Sequence, residues 1–160
     1  LLQAMLSSHT TATSVPVIVD ASDPRSSLLE WCKGVLEHLR THAHIIRKTI
    51  AEAEERPDAA CAACEGSNSA GASLVVYLER LREDGLVDVE ADVETSVSMF
   101  MSALFGDALY RDIMPQAFPG SADEAATRYV ETFMRAVGLR ATSLPDRSRQ
   151  RVAGSRRRSR

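Results

Sequence analysis

ADVETSVSMFMSALFGDALYRDIM, residues 91–114, decides the fold. It is the longest apolar-rich run without a proline. Val93, Val97, Phe100, Leu104 and Ala108 recur at steps of three and four, which places them on one face of a helix. Met101, Phe105, Leu109 and Ile113 make a second stripe, turned by about 100° from the first. A helix with two apolar stripes has to be covered on more than one side. The first stripe is expected to face the chain's own core or a pocket, the second a partner subunit. Gly106 supports that division. A glycine in mid-helix costs about 1 kcal/mol relative to alanine, so a packing reason is expected. Ser98, Ser102, Ala103 and Gly106 place small residues at spacings of three and four, where another helix can approach closely.

Working outward, the pattern is helical throughout. Residues 1–8, LLQAMLSS, read as the remnant of a helix, and residues 9–20, β-branched and holding Pro16, as a loop or extended link. Ser22 or Asp23 can cap the next helix, with Pro24 just inside it. Leu28, Cys32, Val35, Leu36 and Leu39 form its buried stripe, widened by Leu29 and Trp31, as far as Thr41 or His42. A further helix carries Ile45, Ile46, Thr49, Ile50 and Ala53 and is expected to end near Arg56, ahead of Pro57. Residues 58–73, DAACAACEGSNSAGAS, read as a half-formed helix followed by a flexible or kinked stretch. Leu74, Tyr77, Leu78 and Leu81 resume helical spacing up to Asp84-Gly85, with Gly85 suited to a left-handed cap. The acids of residues 88–92 suit the start of the central helix. PQAFPG is a loop. Ser121 and Glu124 have capping-box spacing for a last helix lined by Ala125, Ala126, Tyr129, Val130, Phe133, Met134 and Val137 and ended by Gly138. No strand pattern, repeat or glycine-rich phosphate loop is present, so the fold class is all-α.

Composition and charge narrow the function. One hundred and sixty residues suit one domain with a proper core. The net charge of −3 is unevenly spread: residues 140–160 hold eight Arg and one Asp, leaving 11 basic against 21 acidic residues, net −10, elsewhere. Such a body is not a phosphate-binding surface. The tail RSRQRVAGSRRRSR is read as a solvated, disordered segment. Cys32, Cys61 and Cys64 do not make a paired secreted framework, so reduced cytoplasmic thiols are expected. No apolar run approaches the ~20 residues of a membrane span.

Few residues suggest chemistry. His38 and His42 are four apart and share a helical face, but no carboxylate or thiol at ligand spacing completes a metal site. With His44 they read as junction histidines. Cys61 and Cys64 form a CxxC without the second ligand pair of a zinc site or the βαβ setting of a redox motif. Cys32 on an apolar stripe reads as a small core residue. No Ser/His/Asp arrangement or HExxH motif is recognisable, and neither catalytic nor metal residues are assigned. Trp31, Tyr77, Met99, Phe100, Met101 and Phe105 describe either an ordinary core or the lining of an apolar ligand pocket.

The order of elements resembles the C-terminal ligand-binding and dimerisation domain of TetR/AcrR-family transcriptional regulators. The resemblance runs over residues 1–139. It is carried by a Tyr-bearing helix ending in EDGLVDVEADVE, the long helix SMFMSALFGDALYRDIMP and the final YVETFMRAVGL. Its best local signature is the turn holding Asp84, Gly85, Leu86, Asp88 and Glu90. The resemblance implies an antiparallel helical bundle whose last two long helices form a dimeric four-helix bundle, and a pocket for a small apolar effector enclosed by the preceding helices. Carried over, Trp31, Val35, Tyr77, Phe100, Met101 and Leu104 become ligand-binding candidates. Ala103, Phe105, Gly106, Leu109, Tyr129, Val130, Phe133 and Val137 become the dimer seam. The family's N-terminal helix-turn-helix has no counterpart here. Residues 1–9 are expected to be the remnant of its linker helix, residues 1–139 the effector and dimerisation domain, and operator DNA is expected to be met only through the missing head.

The resulting expectation is the sensing part of a TetR-like repressor without cofactor. The alternatives are a homodimeric interaction module with a filled core, and an all-α enzyme or metal sensor using His38, His42 and the CxxC.

Overall fold

The computed structural model describes residues 23–55, 57–118 and 120–139. The expected linker remnant, the extended link and the basic tail lie outside them, as do the side chains of Cys61 and Cys64. The described residues are helical, with no strand: α1 Pro24–Thr41, α2 Ala43–Ala51, α3 Pro57–Glu83, α4 Val93–Tyr110, a 3-10 turn Pro115–Ala117, and α5 Ala122–Ala136.

Local chemistry sets the ends. Asp23 caps α1, its carboxylate accepting from the Ser26 amide, with Pro24 in the first turn. Asp92 caps α4 by accepting from Thr95 N–H. Ser121 and Glu124 make the full reciprocal capping box of α5. The ends of α3 and α5 repeat one another. Gly85 and Gly138 take positive φ (72° and 60°), and Leu86 N–H and Leu139 N–H reach back to the Leu81 and Met134 carbonyls. Asp88 N–H then donates to Val137 O, tying the α3–α4 loop to the end of α5.

Three expectations are corrected. Residues 58–73 are not kinked: α3 runs unbroken from Pro57 to Glu83. Two of its small residues, Ala70 and Gly71, face α4. A Cβ on Gly71 would sit 3.8 Å from Met101 and 3.9 Å from Val97, so α3 lies close against α4 there, with Ala70 buried beside it. Second, α2 ends at Ala51, earlier than Arg56, because residues 52–55 close short turns, Ala53 N–H to Ile50 O and Glu55 N–H to Glu52 O. Its buried side is Ala43 and Thr49, while Ile50 is half exposed. Third, α4 stops at Tyr110, leaving Ile113, the last member of the second stripe, 60% exposed.

The core is built around α4, which packs against each of the other four helices. Its stripe of Val93, Val97, Phe100, Leu104 and Ala108 is buried, as the spacing predicts. It meets Leu28, Trp31, Cys32, Val35 and Leu36 of α1, Leu74, Leu78 and Leu81 of α3, and Val130 and Phe133 of α5. Trp31, Phe100 and Phe133 stack in sequence across α1, α4 and α5.

Candidate functional site

Covering by the described residues runs out along the first half of the second stripe of α4, ahead of the buried Leu109. Met101 and Phe105 are only half buried, and between α4 and α3 lies an open groove of ≈ 600 Å³. Ser98, Ser102 and Gly106, at steps of four, form a shallow strip, with Met101 and Phe105 beside it and Gly71 opposite on α3. Glu94 and Tyr110 stand toward its ends. Ser102 Oγ donates to Ser98 O at 2.8 Å, so this hydroxyl is occupied within its own helix. The groove therefore presents mainly methyl, thioether and ring surface, suited to an apolar ligand or a helix. A Cβ on Gly106 would meet no described residue within 4 Å, so no helix among the described residues makes the close approach its mid-helix position suggests.

The ligand-binding candidates separate. Trp31, Val35, Tyr77, Phe100 and Leu104 are brought together, but in the packed core, each no more than 5% exposed. Met101 lies on the groove. The Trp31 Nε1 proton is buried without a hydrogen-bond partner, the one polar oddity of that core face. The seam candidates separate too. Leu109, Val130, Phe133 and Val137 are buried within the chain and have almost no surface to offer a partner. The resemblance assigns them to a seam, and a helix's apolar arc alone does not say whether its own chain or another covers it. Ala103, Phe105, Gly106 and Tyr129 are half buried, and of these Phe105 and Gly106 line the groove.

One cluster was missed. Asp107 is wholly buried, and its carboxylate accepts from Arg40 Nη2 (2.5 Å), Arg111 Nε (3.0 Å), Arg111 Nη2 and Tyr129 Oη (2.9 Å). Burial alone would push its pKa up; the hydrogen bonds from Arg111, Arg40 and Tyr129 outweigh this and hold it below the ordinary carboxylate value. Tyr129 is pushed up to about 12, by burial and by donating to Asp107. The sequence carried one signal, an acid in an apolar run with Arg111 four residues on. The cluster holds no open coordination or substrate space and joins α1, α4 and α5.

His38 and His42 do come together, with ring centroids 4.5 Å apart, at the α1–α2 joint. His42 Nδ1 lies 2.9 Å from His38 O, and burial, then the neighbouring His42, lowers the His38 pKa. No group of three or more His, Cys, Asp or Glu among the described residues is placed to hold a metal. Cys32 is buried, and burial pushes its thiol up to about 12, so it is an inert core group. No described helix is long and apolar enough to cross a membrane. Comparison with protein-family models finds no match, and neither curated proteins nor solved structures yield one.

Proposed function

We propose that this chain is the effector-binding and dimerisation domain of a TetR-like transcriptional regulator, acting as a repressor. The observation that supports it is the α4 groove: a long central helix with an apolar side that the described residues leave uncovered, floored by small residues. In this reading the last two long helices, α4 and α5, pair with their copies in a four-helix bundle, with Phe105 and Gly106 in the seam. The sensed molecule is small and apolar. Its binding shifts the population of domain arrangements and thereby the spacing of the DNA-reading heads of such a regulator.

The second reading, a homodimeric interaction module without ligand, has its own support. The ligand-binding candidates other than Met101 fill the core rather than line a cavity. Two measurements separate the readings. Light scattering is expected to give a dimer that Gly106→Leu reduces to monomer with helix content intact. A wild-type monomer would end both readings. An apolar fluorescent probe is expected to bind the wild-type dimer and to be displaced by small apolar compounds. A dimer without displaceable probe leaves the interaction module.

A further inference from the structure

Asp107 is a charge with 0% exposure, and its partners are not equivalent. Arg111 belongs to the same helical run, four residues on, and grips both carboxylate oxygens. It also donates to the Phe118 and Gly120 carbonyls at 2.7 Å each, so the turn into α5 holds it in place. Tyr129 arrives from α5. Arg40 comes from the last turn of α1; its side chain is 29% exposed against 17% for Arg111, and its buried Nε has no hydrogen-bond partner.

Removing one partner of a buried ion pair is normally severe because a bare charge stays behind. Here the departure of Arg40 leaves Asp107 a two-point guanidinium and a hydroxyl. The carboxylate stays compensated within the α4–α5 pair. The end of α1 can therefore let go without stranding a charge.

Among the described residues, the rest of the joint is held by Leu39, with Ile46 only partly buried against the core. α2 buries only Ala43 and Thr49, its N-terminus at His42 has no side-chain cap, and His38 Nδ1 is buried without a partner. Arg47 Nη1 also donates to Leu109 O at 2.7 Å and fastens α2 to α4. By contrast Leu28, Trp31, Cys32 and Val35 seat the earlier turns of α1 deep in the core.

We propose that Arg40–Asp107 is a releasable latch: it closes the α1–α2 joint on α4, and its opening frees residues 38–51 while the α4–α5 pair keeps its buried charge satisfied. Phe105 and Gly106 line the groove just ahead of Asp107, so groove and latch share one turn of α4. The latch rests on this geometry and not on the regulator reading.

Hydrogen exchange of the full chain tests it. In the wild type under low urea, amides of residues 38–51 are expected to exchange through an opening separate from, and more frequent than, that of α4 and α5. Arg40→Met is expected to speed exchange over 38–51 by at least about tenfold, with α4 and α5 within about twofold of wild type. Arg111→Met is expected to speed exchange in α1, α4 and α5 alike. A uniform rise in Arg40→Met, or none over 38–51, would overturn the latch. If that variant does not fold, the wild type decides: exchange of 38–51 only with global unfolding also overturns it.

Discussion

Phe100 and Phe133 stack with ring centroids 4.3 Å apart and planes 11° from parallel. One was read from the sequence as a pocket wall and the other as part of a subunit seam. They are a single core pair joining α4 to α5. Phe100→Ala is accordingly expected to cost about 3–5 kcal/mol in urea unfolding, the loss of a fully packed aromatic. A cost below about 1 kcal/mol would mean that the ring lines empty space, and would return Phe100 to the ligand site.

The Asp107 cluster makes an acid-side prediction. Its folded pKa is lowered, so the stabilisation it supplies is present above the unfolded carboxylate value and is lost as pH falls through the lower folded value. Asp107→Asn should cost about 3 kcal/mol at pH 7. It should also flatten the decline in stability below about pH 4. Urea midpoints of both proteins from pH 7 down to pH 2 check this; parallel curves would show that Asp107 does not titrate in that window.

Gly106 and Gly71 separate folding from association. Nothing among the described residues lies within 4 Å of a Cβ on Gly106, and a Cβ on Gly71 would make only ordinary contact at 3.8 Å. Each change to alanine should therefore raise the stability of the isolated subunit by up to about 1 kcal/mol through helix propensity. If Gly106 sits in a seam, Gly106→Ala should also weaken self-association, which dilution-dependent sedimentation measures, while Gly71→Ala should not.

Gly138 should behave oppositely. Its φ is 60°, and a Cβ there would fall 2.7 Å from the Asp88 Cβ. Strain and collision act together, and Gly138→Ala should destabilise by about 1–2 kcal/mol or more, read as a lowered urea midpoint. Gly85, also at positive φ but with nothing within 4 Å, should show the strain alone and the smaller loss.

Much of the helical plan was legible because it is written in short-range chemistry. The Ser121–Glu124 box and the two glycine stops act within one turn and stand where their spacing places them; Asp23 is one of the two caps the sequence offers for α1, and Asp92 is the last of the acids expected at the start of α4. The unbroken α3 was not legible. Glycine and serine in residues 66–73 look like helix breakers locally, and only the packing of Ala70 and Gly71 toward α4 shows what the unbroken helix rests against there. The candidate site was half legible. Small residues at steps of four along α4 did mark its open side. Which apolar residues were already covered from within was beyond reach, since Leu109, Val130 and Val137 are hidden by helices distant in sequence.

The amino-acid order alone determined that the described part of this protein is helical, where its caps fall and which stripe of α4 turns inward. Periodicity and capping are properties of neighbouring residues, and they survive without knowledge of the partners. The tertiary structure alone decided that Trp31, Tyr77, Phe100 and Phe133 fill a core, that Met101 and Phe105 of the second stripe of α4 border a groove, and that Arg40, Arg111 and Tyr129 converge on Asp107. A helix shows which of its faces dislikes water, but what covers that face, and what neutralises a charge set within it, depends on segments brought close only by folding.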